Sequence, residues 1–170
     1  MKIALMLLIA FSIPAGRSLA QDFVPGTEIT TETILERMNF YRGLHGAPPL
    51  RLDSRLNAVA EERMRDMELE GYWSHASPDG RGPFVRMPFH GYRHSAAGEN
   101  LAAGFETAEV LVSSWMESPG HRRNILSPNF ADAGIAIIDG AVGGRAVGKS
   151  IVVLFAREAA DTASASSKRR

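Results

Sequence analysis

The chain has 170 residues, with 19 basic and 19 acidic side chains and no cysteine. Its length suits one domain, and its balanced charge leaves no polybasic footprint, which argues against nucleic acid as a partner. Lacking cysteine, it has neither a disulfide framework nor a thiol nucleophile. The fold must rest on its core, and a domain of this size buries roughly 70% of its unfolded surface.

Lys2 precedes an apolar run from Ile3 to Ile13, which Pro14 and Gly16 break, and Ser18-Leu19-Ala20 fits the small-x-small rule. Residues 1–20 therefore read as a secretory signal cleaved before Gln21, which predicts a secreted or periplasmic protein. The run is too short to span a bilayer comfortably, and no later run reaches spanning length, so no membrane span is expected after cleavage. Arg17 keeps an uncleaved anchor as the alternative. The leader carries Lys2 and Arg17 and no acid, so the mature chain has 17 basic against 19 acidic residues, a net charge of −2.

Residues 21–32 form a polar lead. A first helix is predicted from about Thr31 to Leu44, with Ile34, Leu35, Met38, Tyr41 and Leu44 as its apolar stripe. Gly46 and Pro48-Pro49 stop it. After the extended link Leu50-Arg51-Leu52, Asp53 or Ser54 caps a second helix that faces Leu56, Val59, Ala60, Met64 and Met67 inward and closes at Gly71. Residues 72–98 read as a long irregular segment, with a helical turn or two over Phe84–Phe89; such a stretch within a domain is usually functional. A third helix begins near Thr107 with Ala108, Leu111, Val112 and Trp115 inward. A short fourth helix follows, with Ser118 at its N-cap and Pro119 at N1. Two strands, Ala133–Asp139 and Ser150–Ala156, are joined by the glycine-rich loop Gly140–Gly148. Residues 158–170 read as a disordered tail.

Gly143 to Ser150 satisfies the Walker A spacing. The phosphate-binding mechanism needs a helix after the loop, and here an apolar β-branched run follows, so the segment reads as a hairpin turn.

Three polar islands carry the candidate chemistry: Ser74-His75 with Pro78-Asp79-Gly80, Gly98-Glu99-Asn100, and Ser118-Pro119-Gly120-His121-Arg122-Arg123-Asn124-Ile125-Leu126. His121 falls at N3 of the fourth helix, where the dipole disfavours a cation and favours the neutral imidazole that ligates metal or accepts a proton. Glu99 sits beside a chain apolar enough to be buried, so it needs a cation or backbone donors. His75, Glu99 and His121 together have the composition of a two-histidine, one-carboxylate zinc site, although their spacing is not diagnostic. Each also has a bland reading, as a packed or exposed histidine or a loop-tying carboxylate. His90 and His94 are discounted because Gly91 lies between them in a loop.

These islands, with Leu35–Arg42, Leu50–Leu56, Trp115-Met116, Asn129-Phe130 and Gly134-Ile135, resemble the CAP superfamily of cysteine-rich secretory, antigen 5 and pathogenesis-related class 1 proteins. The likeness is to its bacterial branch of SCP-like extracellular domains, and it covers about residues 33–157. It implies an α+β fold, a three-layer α-β-α sandwich with a central antiparallel sheet, and an open groove lined at His75, Glu99 and His121. Plant and animal members place a second glutamate three residues after the tryptophan. Here that position is Ser118, with Glu117 one residue early as a tentative fourth member.

Three functions follow as expectations. The preferred one is an exported binding module for an envelope lipid, glycan or peptide in a His/Glu-lined groove, with a divalent metal such as zinc on His75 and His121 left open. The second is a metal-assisted hydrolase with zinc on His75 and His121 and with Glu99 as ligand or general base. Only two firm ligands are visible, which leans against an enzyme. The third is a structural or signalling domain with no groove chemistry.

Overall fold

The computed structural model describes residues 28–140, 142–143 and 148–160. The signal segment, the lead up to residue 27, part of the glycine-rich loop and the tail from residue 161 lie outside the described residues.

Helix α1 spans Thr31–Leu44 and opens with a capping box in which Thr30 and Thr33 satisfy each other's backbone amides. Strand β1 (Arg51–Leu52) leads into α2 (Ser54–Leu69), whose N-cap is Asp53. Gly71 ends α2 in the left-handed region at φ 67°, and the Tyr72 amide returns to the Met67 carbonyl. A single 3₁₀ turn covers Met87–His90. Then come β2 (His94–Phe105), α3 (Ala108–Glu117), α4 (Pro119–Leu126), β3 (Asp132–Asp139) and β4 (Lys149–Glu158).

The sheet runs β1-β3-β4-β2. Its three long strands are antiparallel, and only the two-residue β1 lies parallel to its neighbour β3. Strand β4 is central and buried on both faces. Ile151, Val153 and Phe155 join the core built by α1, α3 and α4, whereas Val152, Leu154 and Ala156 join the core built by α2 and the 3₁₀ turn. The period-2 alternation of one strand thus glues two helical layers to one sheet. Where α2 crosses β3 the backbones nearly touch. A Cβ on Gly134 would lie 2.2 Å from the Leu56 carbonyl carbon.

The predicted helices and the β3–β4 hairpin are all present, and β4, not a helix, follows the Walker-like loop. Two local readings change. Strand β2 begins at His94, inside the segment read as irregular; Ser95-Ala96-Ala97-Gly98 has weak strand propensity, and pairing with the apolar β4 imposes the extended form. In α1, Leu44 is 60% exposed, and the buried member of the stripe near that end is Arg42. Ile29 belongs to the core, and Glu158 remains in β4, paired with Arg55 at 2.6 Å.

Arg42 is fully buried and fans its guanidinium onto four carbonyls. It donates to Pro48 at 2.6 Å, Ile125 at 2.7 Å, Ser127 at 2.9 Å and Phe130 at 3.1 Å. Two of those carbonyls, Ile125 and Ser127, lie at the C-terminal end of α4, where a cation also complements the helix dipole. One side chain of α1 therefore fixes the helix that carries His121.

Candidate functional site

The site forms where β2, α4 and the segment after α2 meet. Glu99 sits at the centre of β2, with its side chain only 2% exposed. Its Oε1 accepts a hydrogen bond from His75 Nδ1 at 2.7 Å, and its Oε2 accepts one from Arg63 Nε at 3.2 Å. Burial pushes the Glu99 carboxyl above its ordinary range, while the bond from His75 and the Arg63 charge pull it back. The His75 side chain is 61% exposed, so the bond at Nδ1 leaves Nε2 turned toward solvent. A carboxylate that holds one imidazole nitrogen fixes the tautomer and the aim of the other.

Arg63 was not singled out by sequence, although the signal was there. It falls on the same inward face of α2 as Val59, Ala60, Met64 and Met67. A charged residue in that register requires a buried partner, and Glu99 required a cation. Each supplies what the other lacks. Arg63 also donates to the Ser74 carbonyl at 2.6 Å and to the Tyr72 hydroxyl, which in turn donates to Asp66.

His121 stands at N3 of α4, as its position after Ser118 and Pro119 predicts. Ser118 occupies the N-cap position, but its side chain makes no capping hydrogen bond. The His121 pKa is lowered, first by burial and then by the nearby His75. The sequence argument gave the right direction but leaned on the helix dipole, whereas burial leads. The ring packs beside Trp115, with centroids 6.1 Å apart. Trp115 Nε1 in turn donates to the Leu101 carbonyl of β2 at 3.3 Å.

Two asparagines lock α4 onto β2. Asn124 Nδ2 donates to the Glu99 carbonyl at 3.0 Å and to Asn100 Oδ1 at 2.9 Å, and Asn100 Nδ2 donates to the His121 carbonyl at 3.3 Å. Asn100 is fully buried. Gly98 makes the approach possible, because a Cβ there would sit 3.0 Å from both Asn124 Oδ1 and the Phe130 ring. The glycine, glutamate and asparagine of the second island thus serve close approach, histidine orientation and helix docking.

His75 and Glu99 are hydrogen-bonded, and His121 lies near enough to His75 to feel its charge. Glu117 is the exposed last residue of α3, and among the described residues no hydrogen bond or ion pair links it to the other three. His90 pairs with Glu62 at 2.8 Å, and His94 packs against Phe84, both apart from this site. For a divalent metal the donor set is two imidazole nitrogens, one each from His75 and His121. Both Glu99 oxygens are already engaged, and among the described residues no three His, Asp or Glu side chains are arranged to hold an ion. A three-ligand zinc centre does not fit this donor set.

Known proteins share this arrangement of the chain. The chain is 39% identical over 106 residues to the uncharacterized protein YkwD of Bacillus subtilis (strain 168), covering 62% of this chain and 41% of that protein. It is 29% identical over 104 residues to the uncharacterized membrane protein YlbC of the same organism, covering 61% and 30%. The chain thus spans less than half the length of the curated relatives it matches. Among solved structures, an extracellular protein containing a SCP domain from Bacillus anthracis str. Ames superposes with a TM-score of 0.64 at 28% identity, covering 75% of this chain and 40% of that one. An outer surface protein from Borrelia burgdorferi shares the fold, with a TM-score of 0.66 at 21% identity, covering 79% and 99%. Residues 35–155 match the family described as CAP, the cysteine-rich secretory protein family, and the chain belongs to that family.

Proposed function

We propose that this chain is an exported binding module that holds an envelope lipid, glycan or peptide against the His75 and His121 imidazoles. The supporting observation is the pair itself: an exposed His75 aimed by a buried carboxylate, near a half-buried His121 whose pKa burial lowers. His121, packed beside Trp115 on a helix docked by Asn100 and Asn124, and His75, aimed by Glu99, offer hydrogen bonds of set direction at low ordering cost. Export is supported by the leader in the sequence and by the extracellular B. anthracis relative. A hydrolase has less support. Glu99, the candidate base, is sealed from water and committed to His75 and Arg63, so it orients an imidazole and does not face a nucleophile.

The test is a binding screen of the mature chain against vesicles of envelope lipids, soluble peptidoglycan fragments and peptides. Wild type is expected to bind one class, with affinity falling about tenfold or more in His75→Ala/His121→Ala while the urea midpoint shows the variant folded. Silence across all three classes would refute the reading.

A further inference from the structure

The buried contacts of Arg63 give this site a property that family membership does not supply. The guanidinium is 3% exposed and makes three separate attachments. It meets Glu99 through Nε at 3.2 Å, it donates to the Ser74 carbonyl at 2.6 Å, and it donates to the Tyr72 hydroxyl. Ser74 is the residue immediately before His75. One side chain therefore grips both the carboxylate that takes His75 Nδ1 and the backbone that carries His75. Asp66, 3.8 Å from the guanidinium, receives the Tyr72 hydroxyl and is itself held by Arg86 at 2.8 Å, so the cation is braced from behind.

We infer that Arg63 is a built-in cation that takes the electrostatic place of a metal ion: it neutralises Glu99, positions His75, and makes the two-histidine site independent of divalent metal. In a site that needs a metal, a carboxylate supplies negative charge to the ion directly or through its shell. Here that charge is spent on a guanidinium that cannot lose its proton. Among the described residues no three His, Asp or Glu side chains are grouped to hold an ion. An ion at the imidazoles would gain no unpaired carboxylate and would sit near a fixed positive charge. The site is thus a hydrogen-bonding surface for an organic ligand. The inference deepens the binding reading and rests on its choice of residues, but its test uses no organic ligand.

That test is calorimetric titration of the full chain with zinc at neutral pH, in wild type, His75→Ala, Arg63→Lys, Arg63→Met and Arg63→Met/Glu99→Gln. Wild type is expected to show no zinc affinity that His75→Ala removes, and Arg63→Lys, which keeps the cation, should behave the same way. Arg63→Met unmasks Glu99 and should gain about tenfold or more in zinc affinity, a gain abolished by the added Glu99→Gln. Zinc binding by wild type that His75→Ala abolishes would overturn the inference, as would an Arg63→Met variant that folds and gains nothing. Should Arg63→Met fail to fold, the wild-type, His75→Ala and Arg63→Lys titrations still decide. Failure of the ligand screen with this zinc pattern intact would sink the binding reading alone.

Discussion

Replacing Arg42 with methionine should damage the site from a distance. The guanidinium donates four hydrogen bonds to buried carbonyls, two of them at the C-terminal end of α4. At about 1.5–3 kcal/mol for each bond made by a charged group, the gross loss is about 6–12 kcal/mol. Removing an arginine from the interior relieves its desolvation by several kcal/mol, and methionine refills much of the volume. A net loss of about 3–5 kcal/mol is expected, a large share of the roughly 5–15 kcal/mol available to a domain. Urea denaturation followed by tryptophan fluorescence measures it. Because the freed carbonyls hold α4, amide exchange should accelerate first in Pro119–Leu126 and only later in α2. Arg42→Lys should recover less than half, since a single ammonium cannot fan onto four acceptors. A loss below about 1 kcal/mol with α4 exchange unchanged would refute the assignment of Arg42 as the anchor of that helix.

Other outcomes follow from contacts of the same kind. Gly134→Ala should cost more than about 3 kcal/mol, because the intruding Cβ meets the Leu56 backbone, whereas Gly98→Ala should cost about 1–3 kcal/mol and displace Asn124; equal urea midpoints for the two would contradict this ordering. His121 is held below its ordinary value of 6.5, so the unfolded chain takes up that proton first as the pH falls, and stability from this residue is present above 6.5 and lost below it. Glu99, raised above 4.5, has the opposite sign and favours the folded state on acidification through its folded pKa. Urea midpoints should therefore decline less steeply from about pH 7 to 5 in His121→Gln than in wild type, and identical slopes would count against a lowered His121 pKa. Tyr92→Phe removes the buried hydroxyl that donates to Asp132 at 2.8 Å and should lower stability by about 1–3 kcal/mol; no change in midpoint would mean that water replaces it.

The helices and the hairpin were legible because their signals are local. Thr107, Asp53 and Pro119 announce helix starts, and β4 is apolar without interruption from Ile151 to Ala156. Strand β2 was not legible, since its small and polar residues become a strand only by pairing with β4. The inward arginines were half legible. Arg42 and Arg63 lie on buried helical faces, but a periodicity that counts only apolar residues passes over them and credits Leu44 instead. The three islands supplied the residues of the candidate site. How Glu99 is used depended on which cation reaches it, a contact between residues 36 apart that no local pattern encodes.

The outer strand of the sheet has one more consequence. Strand β2 is an edge, and edges invite pairing with foreign strands. Its carbonyls at Glu99 and Leu101 are already occupied, by Asn124 from α4 and by Trp115 from α3. A visiting strand would have to evict both side chains before it could register along the middle of β2. The opposite edge, β1, is two residues long and offers little to copy. The side chains that seat the histidines thus also cap the sheet against uncontrolled growth, so a variant such as Asn124→Ala carries an aggregation risk as well as a functional one.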